Sequence, residues 1–185
     1  MTTREEQIIQ VRRDKLTKLV ALGVNVNPPI YSPTHKTSDC TDIDQKVMVA
    51  GRLKGYRRQG KITFMDLWDD KGHVQVFASL ADMGESSYEV VKLLDIGDFI
   101  GVSGTTFKTQ AGELTLKVEE LTFLGKSMKP LPDSWYGLKD KEDRFRQRYL
   151  DLILNPEARR IIDVRWATLQ AIREYLWSQG YYEVD

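Results

Sequence analysis

The stretch Lys46-Val47-Met48-Val49-Ala50-Gly51-Arg52-Leu53-Lys54 alternates apolar and wettable side chains with a period of two. Val47, Val49, Gly51 and Leu53 fall on one side, and Met48, Ala50, Arg52 and Lys54 on the other, as in a strand with one face in water. Upstream the period is helical. Over residues 3–22, Ile8, Ile9, Leu16, Leu19 and Val20 share one broad face, and Gly23 suits the left-handed position that closes a helix. Asn27-Pro28-Pro29 and Pro33 then forbid regular structure up to the change of period.

From Lys46 to Leu124 the period stays at two. Ile62–Trp68 and His73–Ala78 read as the next strands, joined by the turn Asp69-Asp70-Lys71-Gly72. Ser86–Leu94 is predicted as a short helix capped by Ser86 or Ser87. Phe99–Phe107 and Leu114–Leu124 complete the set around a turn containing Gly112. Three strands, a helix and two strands, with glycines at 51, 55, 101 and 104 for sharp coiling, is the order of a five-stranded OB-fold β-barrel. The fold class is therefore mainly β with flanking helices. The helix at 3–22 reads as a packing element on the barrel rather than an RNA contact.

Pro130 and Pro132 interrupt the chain again, and Asp133–Asp143 reads as a linker. Phe145, Tyr149 and Leu152 at i, i+4 and i+7 predict a helix. Asn155-Pro156 supplies a cap and a first-turn proline for a longer one. Ile162, Trp166, Leu169, Ile172 and Leu176 trace its apolar stripe, Gly180 ends it, and Tyr181–Asp185 begins a strand. The expected organisation is 1–45 (helix and connection), 46–125 (barrel), 126–143 (linker) and 144–185 (start of a second, helical unit).

Bulk properties narrow the function. With 41% hydrophobic and 29% charged residues the chain is an ordinary globular one. A formal net charge of zero argues against indiscriminate binding to polyanions, though not against a local basic patch. One cysteine, Cys40, excludes an internal disulfide and a cysteine-rich zinc site. No signal-peptide core and no bilayer-length apolar run is present, so the cytoplasm is the expected compartment. No catalytic set emerges either. His35 and His73 are isolated, and neither a phosphate loop nor a nucleophile elbow occurs.

What remains is a binding surface. Arg52–Lys61 holds five cations (Arg52, Lys54, Arg57, Arg58, Lys61) and no acid, where OB-folds commonly meet oligonucleotides. In the third strand Val74, Val76 and Ala78 read as core-facing, which turns His73, Gln75 and Phe77 outward. If Met65 and Leu67 also face the core, Phe64 and Gln75 share an outer face: a ring for stacking and an amide for reading a base edge. The competing reading puts Phe64 in the core and leaves Gln75 merely wet. In the last strand, Leu114, Leu116 and Val118 are even but Leu121 and Phe123 odd, so a bulge or bend is predicted at Glu119-Glu120. A carboxylate there is either a plain surface acid or an acceptor for base donors.

Several stretches carry a resemblance: Val49-Ala50-Gly51-Arg52, Gly60-Lys61-Ile62-Thr63-Phe64, Gly72-His73-Val74-Gln75-Val76, Gly112-Glu113-Leu114-Thr115-Leu116, Lys129-Pro130-Leu131-Pro132-Asp133 and Arg146-Gln147-Arg148-Tyr149-Leu150-Asp151-Leu152. With them the chain resembles the N-terminal portion of class II lysyl-tRNA synthetases. Aspartyl and asparaginyl enzymes share the barrel and the Arg-Tyr-Leu-Asp run, while the Pro-Leu-Pro-Asp and Arg-Gln-Arg forms point to the lysyl subgroup. A stand-alone OB-fold protein for single-stranded nucleic acid is the non-enzymatic alternative.

The resemblance implies a lysine–tRNA ligase that works with lysine, ATP and magnesium in protein biosynthesis, as a homodimer. The barrel would bind the uridine-rich anticodon loop of tRNA-Lys. An anticodon base would stack on Phe64, the central uridine would bond Gln75, and Glu120 would read a base edge. Arg57 would contact the loop with Arg58 beside it. The sequence is one residue shorter than the usual pattern there, so the choice between the two stays open. Asn27-Pro28-Pro29 departs from the family's Pro-aromatic-Pro. Residues 161–185 resemble motif 1, whose helix builds the dimer interface, here through Ile162, Trp166, Leu169 and Ile172. Motifs 2 and 3, which hold ATP and magnesium in the family, are absent from the sequence, so this chain alone is expected to be inactive.

Overall fold

The computed structural model describes residues 3–131, 138 and 140–184, in two compact units, 1–130 and 131–185. The first unit holds helix α1 (Arg4–Ala21), strands β1 (Lys46–Gln59), β2 (Ile62–Trp68) and β3 (His73–Ser79), helix α2 (Leu80–Lys92), and strands β4 (Phe99–Lys108) and β5 (Leu114–Gly125). The strands close into a barrel in the order β1-β2-β3-β5-β4. All neighbours are antiparallel except β3 and β5, which run parallel.

β1 closes the barrel because it is long enough to pair twice. Its first half lies against β4 and its second against β2, with Arg52 in both ladders. It runs five residues past the expected end at Lys54, through the basic window. The core is built from the inward parity: Val47, Val49, Leu53, Met65, Leu67, Val76, Ile100, Val102, Leu116 and Phe123 are all buried. The parity switch read at Glu119-Glu120 is a bulge. Ser103 pairs with Glu120 and Gly104 with Val118, which leaves Glu119 as the extra residue. Gly104 is needed there, since a Cβ would lie far inside contact distance of the Lys117 carbonyl.

α2 begins six residues earlier than expected, and neither Ser86 nor Ser87 caps it. Ser79 does so, accepting from the Asp82 amide at 3.1 Å, and Gly84 kinks the helix at φ 75°. The serine reading failed because a glycine inside a helical stretch hides an extra first turn. On α1, Thr3 and Glu6 form a reciprocal capping box. Leu19 enters the barrel core, as a packing helix should, but Val20 is exposed. Arg12 is the buried partner on that face. Its guanidinium donates to the carbonyls of Ser127 (2.5 Å), Lys129 (3.0 Å) and Ile96 (3.1 Å).

Beneath this contact lies a dense charge cluster. Lys126, 2% exposed, reaches Asp95 and Asp98 at 2.7 Å each, while Lys15 of α1 meets Asp95 at 2.6 Å. Fully buried Asp98 also accepts from the Ser127 and Asp95 amides. The β2–β3 turn is fixed in a similar way. Asp69 accepts from the amides of Lys71 and Gly72, and from the amide and hydroxyl of Thr37. Partial burial pushes its carboxyl pKa up, but these donors together hold it below the ordinary 3.8.

In the second unit one helix was expected through Phe145, Tyr149 and Leu152. The chain instead breaks at Gln147 (φ −114°, ψ 50°) into α3 (Lys141–Arg146) and α4 (Arg148–Leu154). Asp151, 1% exposed, explains the break: it accepts from Arg144 at 2.8 Å and Arg148 at 2.5 Å, drawing the two short helices around one carboxylate. Asn155 caps α5 (Pro156–Ser178) on the Glu157 and Ala158 amides, with Pro156 in the first turn and Gly180 (φ 83°) after its end. Residues 181–184 form no strand, since none of the described strands pairs with them. Of the expected linker, 132–137 and 139 lie outside the described residues. Among the described residues no helix is long and apolar enough to cross a membrane.

Two stability predictions follow from these clusters. Lys126→Met leaves Asp98 buried without its cation and should lower the unfolding free energy by about 3–5 kcal/mol in urea titration. Because the folded pKa of Asp69 is depressed, its contribution is fully present above the unfolded value and is lost as pH falls through the folded one. Urea titrations at pH 7 and in the acid range below 4 should therefore show Asp69→Asn costing stability at pH 7 and converging on the parent chain in acid.

Candidate nucleic-acid interface

The outer surface of β2 and β3 follows from their pairing. On β2, Phe64, Asp66 and Trp68 point outward, alternating with buried Thr63, Met65 and Leu67. On β3, His73, Gln75 and Phe77 do the same between Val74, Val76 and Ala78. The register sets Phe64 opposite Phe77, Asp66 opposite Gln75 and Trp68 opposite His73. Phe64 therefore lies outside the barrel, on the same side as Gln75. It is half-buried because Phe77 leans on it, ring centroids 5.1 Å apart, and Phe77 in turn meets Phe107 of β4 edge-on at 5.9 Å.

Gln75 is not simply open to water: it is only 6% exposed. Its Oε1 accepts from the Thr115 hydroxyl at 2.9 Å and its Nε2 donates to Glu113 Oε2 at 2.8 Å. A carboxylate can only accept, so these two partners fix which end of the amide is which. One N–H and one carbonyl lone pair have no partner among these bonds.

The arginines separate. β1 and β2 slip register by one residue between Leu53 and Gly55, and beyond the slip Arg57 pairs with Phe64 and Arg58 with Thr63. Arg57 thus joins the face of Phe64. Arg58 takes the parity of buried Thr63, near Tyr56, whose hydroxyl donates to the Val91 carbonyl of α2 at 3.0 Å. Burial raises the Tyr56 phenol's pKa, and the Arg58 charge pulls it the other way. Gly55 follows the slip opposite Asp66, and its missing side chain leaves room for the Asp66 carboxylate.

Glu120 sits apart from these groups. It lies beyond the β5 bulge, opposite Ser103, whereas Gln75 is level with Thr115. Its charge acts on Tyr31, whose phenol is raised first by burial and then by Glu120. The structure therefore puts Phe64, Gln75 and Arg57 on one face, leaves exposed Arg58 on the other face of β1, and leaves Glu120 on the neighbouring part of the sheet. Sequence reasoning did not find Glu113, Thr115 and Phe107 as partners of this surface. The parallel β3–β5 pairing that delivers them has no short-range turn signal.

Ile162, Trp166, Leu169 and Ile172 on α5 are 38%, 65%, 43% and 50% exposed within this chain. Among the described residues, no three His, Cys, Asp or Glu side chains converge where a metal ion could sit.

Barrel and helices each match a known family. Residues 47–124 match the OB-fold nucleic acid binding domain, and residues 140–185 match class II tRNA synthetases (D, K and N). The resemblance to class II lysyl-tRNA synthetases is borne out across nearly the whole chain. It is 40% identical over 98% of its length to the lysine–tRNA ligase of Pelotomaculum thermopropionicum. It is 41% identical over 96% to that of Shouchella clausii, and 39% over 96% to that of Bacillus subtilis. The chain spans 38% of the length of each of these relatives.

Proposed function

We propose that the chain is the tRNA-anchoring part of a lysine–tRNA ligase, a cytoplasmic enzyme that joins lysine to tRNA-Lys at the expense of ATP. The observation that carries this reading is the outer face of β2 and β3. There a ring, Phe64, and an amide held by two partners, Gln75, stand on adjoining strands beside Arg57. Stacking on a phenylalanine suits any base and contributes about 1–3 kcal/mol. The amide supplies what stacking lacks, because a donor and an acceptor in fixed orientation match the edge of one base better than another. A uridine offers both a carbonyl and an N–H, so an oriented amide can meet it with both ends. Arg57 adds phosphate attraction next to the stacked base, while Arg58, on the other face of β1, is assigned a minor share. Glu120 enters as an acceptor at the edge of the surface, reached by a neighbouring nucleotide.

Activation of lysine with ATP and magnesium is assigned to the relatives' length outside the matched portion, and no step of it is drawn through this chain's residues. In the complete enzyme, Ile162, Trp166, Leu169 and Ile172 are assigned to a homodimer interface. Their exposure within a 23-residue helix supports that role.

Titration with anticodon stem-loops carrying central-base variants, at two salt concentrations, tests the reading. A uridine-rich loop should bind best, and Phe64→Ala and Gln75→Ala should each weaken it; equal affinity for a loop with a substituted central base would remove the assignment. Arg57→Ala should reduce the salt slope by about one, with Arg58→Ala changing it less. In a pyrophosphate-exchange assay the 185-residue chain should show no lysine-dependent turnover, and turnover would refute the division of labour.

A further inference from the structure

A second cation–aromatic array crosses the outer face of the same sheet, away from Phe64. Trp68 at the end of β2 is stacked by His73 of β3, centroids 4.6 Å apart and planes 15° from parallel. The Lys54 ammonium lies 4.3 Å from the Trp68 ring centre. On the far side of β1, the Arg52 guanidinium lies 4.1 Å from the ring of Phe99, itself 41% exposed. The ladders order these groups: His73 opposite Trp68, Trp68 opposite Arg52, and Arg52 opposite Phe99, so one row runs across four strands, β3-β2-β1-β4.

A cross-strand aromatic pair can exist for stability alone. Two features here exceed that need. His73 is exposed and already holds one ring, that of Trp68, in parallel stacking, the geometry a nucleobase would adopt on it. The cations of the row lie on β1, the strand that also carries Arg57 beside Phe64. Stacking surface thus lies on β2 and β3 and positive charge along one border, as a single strand with bases inward and phosphates outward requires.

We propose that Trp68 and His73 form a second stacking station for the same single-stranded RNA loop, with Lys54 and Arg52 drawing its phosphates along β1. The inference rests on the anticodon-loop reading of Phe64 and Gln75. At about 3.3–3.4 Å per strand residue, Trp68 lies roughly 13 Å from Phe64 along β2. A stacked strand advancing about 3.4 Å per nucleotide covers that in about four steps. The base at Trp68 and His73 therefore belongs to the same loop as the base on Phe64. Asp66 and Gln75, paired between the two stations, meet the intervening nucleotides. Stacking at the second station is blind to base identity, so it adds affinity and reach while Gln75 keeps the selectivity.

The test uses the full 185-residue chain and a uridine-rich anticodon stem-loop, with a set of RNAs each made abasic at one loop position. His73→Ala with Trp68→Leu keeps apolar bulk but removes both rings, and circular dichroism with thermal unfolding checks that the barrel is retained. Should the double variant unfold, His73→Ala alone, at an exposed position, serves in its place. The expected result is a loss of affinity of roughly 5- to 150-fold, the range of one base stack. One abasic position, within four nucleotides of the base on Phe64, should show the same loss with the parent chain and no further loss with the variant. If Phe64→Ala weakens binding while the His73 and Trp68 variants leave it unchanged, the second station is overturned and the first stands. If none of these changes affects binding, the anticodon-loop reading fails, and the inference with it.

Discussion

The slip of one residue in the β1–β2 ladder, between Leu53 and Gly55, is the constraint on which the rest of the surface depends. Side chains of a strand alternate, so a one-residue shift exchanges the inner and outer sets beyond it. Before the slip Leu53 faces the core and Arg52 faces out; after it Arg57 is level with Phe64 and Tyr56 turns inward toward α2. Without the slip Tyr56 would stand opposite Phe64, Arg58 would share that outer face and Arg57 would point inward. Gly55 lies opposite Asp66 at this point, and its missing side chain leaves room for the Asp66 carboxylate. The bulge therefore couples barrel closure to which arginine shares the outer face with Phe64.

A second form of order comes from buried polar groups that are all satisfied. Among the described residues no buried side-chain nitrogen or oxygen lacks a partner. Gln75 held by Thr115 and Glu113, and Asp98 held by Lys126 and two amides, obey the same rule with different consequences. Removing Asp98 and Lys126 from water is expensive and is offset only by complete pairing, which fixes the segment after β5 against the barrel. Arg12 then ties α1 to that segment through the Ser127 and Lys129 carbonyls, and to the loop before β4 through that of Ile96. Around Gln75 the same satisfaction fixes the orientation of an amide on the outer face of β3.

Much of the barrel could be read from periodicity. The alternation of Val47, Val49 and Leu53, the Asp69–Gly72 turn and the parity switch at Glu119 all have local signatures, and the structure follows each. Phe64 and Gln75 were open between two readings, and the pairing of β2 with β3 decides for the outer face. What escaped the sequence has a common cause. The bulge at Lys54 lies among polar residues whose alternation carries no hydrophobic mark, so the roles of Arg57 and Arg58 could not be told apart. The partners Glu113, Thr115 and Phe107 arrive through a parallel strand pair, which no tight turn announces. The early start of α2 was masked by Gly84, and the break at Gln147 by an unbroken helical pattern in Phe145, Tyr149 and Leu152.

The two units differ in what makes them ordered. The barrel buries a continuous core drawn from all five strands and both of its helices, so each element is held by residues distant in sequence. In the second unit only Asp151 and Ala158 are buried among the described residues, and order there is local. Asn155 and Pro156 start α5, Gly180 follows its end, and one carboxylate gathers Arg144, Arg148 and Asn155. A helix of 23 residues is about 35 Å long and can persist on caps and its own ladder, yet a stripe of Ile162, Trp166, Leu169 and Ile172 in water gains nothing from the hydrophobic effect. That surface is intelligible as one half of a packed layer. The barrel's order, by contrast, comes from what the barrel itself encloses.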